Sequence, residues 1–172
     1  MKRVAFKAPW GAPLALMTAL CTGICLLLPY PGAMIVLGSG ILKSAMIPAW
    51  AGWPLIVLPP LAVLAGAVFT VRGYVLTDTS LIIKRLGWEH RLDLTLLNSA
   101  AVDPDAFHRS MRLFGNDGFF SFTGWFRNQK LGPYRAFATD AKKAVVLRFA
   151  DKTVVITPDD PRKFVAEINS KS

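Results

Sequence analysis

The sequence predicts an α+β membrane protein, in which two apolar helices lead into a mostly antiparallel β domain that ends in one amphipathic helix. Three observations carry that prediction. Before Arg72 the only charges are Lys2, Arg3, Lys7 and Lys43, whereas the remainder holds sixteen Lys and Arg and all eleven acids. Two uncharged runs in the first part are long enough to cross a bilayer as helices. From Gly73 onward the apolar residues recur with strand-like periods, and only the C-terminal segment returns to a helical one. A hydrophobic fraction of 53% and a mean hydropathy of +0.40 are high for a soluble chain of 172 residues, and the excess lies ahead of Arg72.

The first span is expected over about residues 10–29. Trp10 to Leu28 is Leu-, Ala-, Thr- and Gly-rich, and as a helix it is about 28 Å long, close to the hydrocarbon thickness of about 30 Å. Pro29 and Pro31, around the interfacial Tyr30, are expected to stop it. Gly32 to Leu42 is too short to span and reads as an outer loop or a half-inserted connection. The second span is expected over about 50–71, opened by Trp50 and Trp53 and closed by Arg72, with Pro59 and Pro60 inside a helix that must include them. Residues 1–71 thus form the anchor and 72–172 the soluble domain.

Orientation follows from the basic residues. Lys2, Arg3 and Lys7 precede the first span and Arg72, Lys84 and Arg85 follow the second, against Lys43 between them. The positive-inside rule then places both termini and the domain in the cytoplasm. A cleaved secretory signal would need a small-residue site that the sequence does not supply. Cys21 and Cys25 lie four apart on one helix face, with no His, Asp or Glu nearby, and read as packing residues.

In the soluble part, Tyr74 to Thr77 and Ser80 to Leu86 form a first hairpin around Thr77-Asp78-Thr79. Gly87 and Trp88 turn the chain into Glu89 to Leu94, and Leu96 to Val102 runs into the turn Asp103-Pro104-Asp105. Ala144 to Phe149 and Thr153 to Thr157 flank Ala150-Asp151-Lys152 as a second hairpin. A helix follows, with Asp159 and Asp160 as acceptors at its start, Pro161 in its first turn, and Phe164, Val165 and Ile168 on one face. Such strands with one terminal helix can close as a small barrel capped by that helix.

The segment from Arg112 to Asn128 is aromatic, basic and punctuated by glycine. Ala106 to Thr139 carries Arg109, Arg112, Arg127, Lys130 and Arg135 against Asp117 alone. Within it, Gly115-Asn116-Asp117-Gly118 reads as a tight turn. Arg112-Leu113-Phe114-Gly115-Asn116, Gly124-Trp125-Phe126-Arg127-Asn128, Gly132-Pro133-Tyr134, Phe137-Ala138-Thr139-Asp140 and Val155-Ile156-Thr157-Pro158-Asp159-Asp160-Pro161 together resemble the bacterial PH-like domain family over about Arg72 to Ile168. The resemblance implies a bent seven-stranded barrel with a C-terminal helix and no enzymatic activity; with the two spans, the bacterial inner membrane is the expected location. It supplies no ligand or functional residue.

Function therefore has to be weighed from the residues. His90 and His108 are the only histidines, neither stands in a metal-ligand spacing, and no nucleophile elbow or phosphate-binding loop is present. No enzyme, cofactor or metal is expected, and nucleic-acid motifs are absent. The basic balance fits anionic lipid instead, because juxtamembrane Lys and Arg gain about 1 kcal/mol each beside an acidic leaflet. A membrane-anchored binding module is the favoured reading, with Arg109, Arg112, Trp125, Arg127, Lys130 and Arg135 as candidate contacts for anionic lipid or a protein partner. Phe119, Phe122, Trp125 and Phe126 could equally pack the core. The alternative is an accessory subunit of a transport or channel assembly, although neither span carries the charge that usually marks an ion path.

Overall fold

The computed structural model describes residues 3–37 and 48–170. Helix α1 spans Ala12–Leu27, α2 Pro29–Val36 and α3 Trp53–Phe69, with a short 3-10 turn at Ala49–Gly52 leading into α3. The helical path does not stop at Pro29. Leu28 keeps helical dihedrals, and Pro29 and Pro31, which donate no backbone N–H, fall in the first turn of α2. Together 12–36 and 49–69 make two helical stretches long and apolar enough to cross a membrane. Part of the Gly32 to Leu42 stretch is thus helix; residues 38–47, including Lys43, lie outside the described residues. Pro59 and Pro60 do fall inside α3.

α2 packs against the start of α3 at a glycine contact. A Cβ on Gly32 would stand 2.9 Å from the carbonyl oxygen of Gly52, and one on Gly52 would stand 2.5 Å from that of Gly32. Small residues that let backbones approach this closely are the usual means of helix association in lipid.

Ten strands follow or precede the helices among the described residues. Strand β1 (Val4–Lys7) lies ahead of α1, and pairs antiparallel with β2 (Gly73–Leu76), which follows α3. β3 (Ser80–Lys84) and β4 (Glu89–Asp93) complete a sheet of order β1-β2-β3-β4. The sequence reading assigned Lys7 and its neighbours only to membrane orientation. Their alternation, with Phe6 buried and Lys7 exposed, is too short a run to announce a strand.

The second sheet contains β5 (Leu97–Val102), β6 (Met111–Phe119), β7 (Ser121–Asn128), β8 (Gly132–Ala138), β9 (Val145–Phe149) and β10 (Thr153–Ile156), in the order β5-β9-β10-β8-β7-β6. The expected closed antiparallel barrel is not formed: both sheets are open. The β9–β10 hairpin sits between β5 and β8, so β10 runs parallel to β8, and β6 is left as a free edge. The expected turn at Gly115–Gly118 is also displaced. These residues lie within β6, and the chain reverses at Phe119–Ser121 with Phe120 at φ 64°.

The sheets face one another across a core of Phe6, Tyr74, Leu81 and Ile83 from the first and Phe137, Leu147, Val154 and Ile156 from the second. Helix α4 (Pro161–Asn169) covers one end, as its sequence signals predict: the Asp160 carboxylate accepts the Lys163 N–H, and Phe164 meets Phe6 edge-on at 5.0 Å. A second cluster on the other face of the larger sheet gathers Ala106, Phe126, Tyr134 and Val155.

Candidate functional site

Of the six residues that the sequence offers as contacts, five fall into two groups and Arg112 stands apart. Arg109, Arg127 and Lys130 line a cleft of about 600 Å³ beside the β7–β8 turn, together with Asp105 and His108. Lys130 Nζ is 2.6 Å from Asp103 Oδ2, so that ammonium is already matched. Asn128, in the same motif as Arg127, is structural: its Nδ2 donates to Ala106 O at 2.8 Å and Ser110 Oγ at 3.0 Å, and its Oδ1 accepts Leu131 N–H at 2.7 Å. Arg112 is exposed, with Nη1 donating to Gly115 O at 3.3 Å.

Trp125 and Arg135 are register partners on β7 and β8, and form the other group. They line a groove of about 280 Å³ with Phe69, Arg85, Trp88 and Phe114. Phe69 is the last residue of α3, which sets this groove beside the end of an apolar helix. The aromatics are divided too. Phe126 is buried and stacked on Tyr134, Phe122 packs on Phe107, and Trp125 stays 42% exposed.

Arg85 is the residue that sequence reasoning missed as a contact. It counted there only as one positive charge near a span, yet it is 8% exposed and its Nε is buried without a hydrogen-bond partner. The guanidinium lies over the rings of Trp88 at 4.6 Å, Phe137 at 5.3 Å and Phe69 at 5.8 Å. Each such contact is worth roughly 0.5–2 kcal/mol, which offsets part of the cost of taking a guanidinium out of water. Among the described residues the ion pairs are Arg91–Glu89, Lys130–Asp103 and Lys152–Asp151, so neither Arg85 nor Arg135 has a carboxylate.

The local potential is accordingly positive. Burial and the neighbouring Arg135 lower the Arg85 pKa to about 10. His90 is lowered by burial and then by Arg135, Arg85 and Lys152. Its ring sits 5.1 Å from Phe137, and it lines an adjoining cavity with Arg135 and Lys152. The only sequence signal for this cluster is Arg85 just past β3, two residues after the inward-facing Ile83, with Trp88 beyond a glycine turn at φ 85°.

The tip of the β6–β7 hairpin holds the domain to the helices. Phe120 N–H donates to Thr18 Oγ1 in α1 at 2.9 Å, and its ring meets Trp10 edge-on at 5.9 Å. Gly66 of α3 makes room, since a Cβ there would lie 2.6 Å from the Phe120 ring and 2.9 Å from that of Phe119. The segment between β1 and α1 is fixed as well. Thr139 Oγ1 donates to Pro9 O at 2.7 Å, Gly11 N–H to Thr139 O at 3.0 Å, and Asp159 N–H to Lys7 O at 2.9 Å.

A family model described as bacterial PH domain matches residues 72–172. No curated protein and no solved structure gives a significant match. The matched stretch holds β2 to β10 and α4, including the Thr139 and Asp159 motifs that receive the N-terminal segment. PH-like domains are generally non-enzymatic binding modules, and this chain belongs to the bacterial PH domain family.

Proposed function

We propose that this chain is a two-span bacterial inner-membrane protein whose PH-like domain, residues 72–172, lies in the cytoplasm with both termini and acts by binding, not by catalysis. Its ligand is presented at the membrane face, and an anionic lipid headgroup is the reading best matched to the unpaired arginines there.

The observation that carries the proposal is the pairing of β1 with β2. Val4 stands opposite Leu76 and Lys7 opposite Gly73, so the start of α1 and the end of α3 leave the same end of one sheet. Two spans built on such a sheet return the chain to the side it came from. The Phe120–Thr18 hydrogen bond then keeps the domain against α1 instead of on a free tether. Of the candidate contacts, Trp125 and Arg135 are assigned to the membrane-proximal groove. Arg109, Arg127 and Lys130, in their separate cleft, and Arg112, exposed on β6, are not assigned to that groove.

Topology is tested with single cysteines at the exposed positions Lys142 and Ser170 in a Cys21→Ala/Cys25→Ala background. A membrane-impermeant maleimide should label them in inverted membrane vesicles and not in intact cells. Labelling in intact cells would refute the cytoplasmic assignment.

A further inference from the structure

We propose that Arg85 and Arg135, with the walls supplied by Phe69, Trp88, Phe114 and Trp125, form a binding site for a phosphate group carried by an anionic lipid headgroup or by a small soluble phosphate. This deepens the binding-module reading and rests on it. The site is built and not merely basic. Arg85 is nine-tenths buried with an unpartnered Nε, and the groove it lines leaves space beside it.

The chemistry follows from what surrounds the two guanidiniums. The Arg135 guanidinium is 4.8 Å from the Phe137 ring and that of Arg85 is 5.3 Å from the same ring, and both residues line the groove. Two cations on one aromatic, with no carboxylate paired to either, are repulsive until an anion sits between or beside them. The planar guanidinium fork can donate bidentately to two oxygens of a tetrahedral phosphate. The remaining charged groups on the adjoining wall are Lys152, Arg91 and Asp93, and the Asp93 carboxylate is occupied by Thr95, whose N–H donates at 2.9 Å and whose hydroxyl donates at 2.8 Å.

Size and position narrow the ligand class. About 280 Å³ falls below the roughly 300–1,000 Å³ of pockets that enclose drug-sized molecules, which suits a headgroup-sized anion. Phe69 closes α3 and lines the groove, so a lipid whose tails lie along α3 would bring its phosphate to Arg85. Trp88 and Trp125, each 42% exposed, are the amphipathic rings found at that depth.

The test uses the full chain in maltoside micelles, which contain no phosphate, and follows the His90 ring by NMR. The His90 pKa is lowered by burial and then by Arg135, Arg85 and Lys152, so an anion bound beside the two arginines should raise it. Inorganic phosphate and a short-chain phosphatidic acid are titrated separately, with a neutral diacylglycerol as control. The expected result is a rise in the His90 pKa with either phosphate. Saturation at a concentration at least about tenfold lower for phosphatidic acid assigns the lipid as source, and equal concentrations assign the soluble anion. Arg135→Gln should weaken binding by about tenfold or more, and Arg85→Lys should do the same while keeping a charge if Arg85→Gln does not fold. Arg109→Gln/Arg127→Gln should leave it unchanged. No response of wild-type His90 to either phosphate would overturn the site while leaving the topology untouched, as would equal loss in the Arg109/Arg127 variant.

Discussion

The backbone N–H of Phe120, at the tip of the β6–β7 hairpin, donates to the hydroxyl of Thr18 in α1 at 2.9 Å, 102 residues earlier in the chain. A β-turn donor finds its acceptor on an apolar helix, where few side chains could supply one. This contact and the aromatic packing of Phe120 on Trp10 join two parts of the chain that their compositions set apart.

Thr18→Val should remove that acceptor without changing side-chain shape, at a cost of about 0.5–1.5 kcal/mol. Hydrogen exchange of the Phe120 amide in the detergent-solubilised chain should speed up about tenfold, while amides of β9 and β10 hold their rates. Unchanged exchange at the tip would mean that the hairpin does not rest on α1 in solution.

Gly115 and Gly124 face one another across β6 and β7 with φ of 119° and 148°. A Cβ on Gly115 would stand 2.6 Å from the Cα of Gly124, and one on Gly124 would also meet the Phe114 carbonyl oxygen. Gly124→Ala should destabilise the domain by about 1–3 kcal/mol through backbone strain alone. Gly132, with φ 69° and nothing within 4 Å of its added Cβ, should cost only about 1 kcal/mol on the same change. Thermal unfolding of the two variants, read side by side, should preserve that order.

Tyr74 is fully buried, with its hydroxyl donating to Phe137 O at 2.6 Å and accepting the Thr157 N–H at 3.1 Å. Burial pushes its pKa from 10.0 up to about 12. Because the folded value is the higher one, the stabilising effect is complete below pH 10 and is lost as pH rises from 10 to about 12. Tyr74→Phe should lower stability at neutral pH by about 1–3 kcal/mol and flatten the alkaline loss. Unfolding midpoints measured across that alkaline window would show both effects.

Phe6 is 6% exposed and packs on Phe164 of α4, although it precedes the first apolar helix. Phe6→Ala should therefore destabilise the PH-like domain by about 3–5 kcal/mol. A fragment starting at Gly73 should unfold at lower temperature than one in which residues 3–8 are supplied as a fused strand, because β2 would otherwise be an open edge. Equal midpoints for the two fragments would show that β1 adds nothing to the domain.

Much of the chain was legible from local patterns. The two apolar stretches, the first hairpin at Thr77–Ser80, the second at Ala150–Lys152 and the capped C-terminal helix each depend on residues close together in sequence. Charge partition, turn chemistry and an Asp-Pro start are enough to announce them. The order of motifs from Arg112 to Pro161 was likewise enough to point to the family. Three features needed the tertiary structure. Pro29 could begin a new helical turn because Leu28 stayed helical, which no local rule required. The strand at Val4–Lys7 exists because β2 offers it an edge. Arg85 joins Arg135 only because β3 and β8 belong to different sheets that face each other. Propensity and spacing act over a few residues, whereas pairing, sheet closure and the meeting of two cations are set by contacts between segments far apart in the chain.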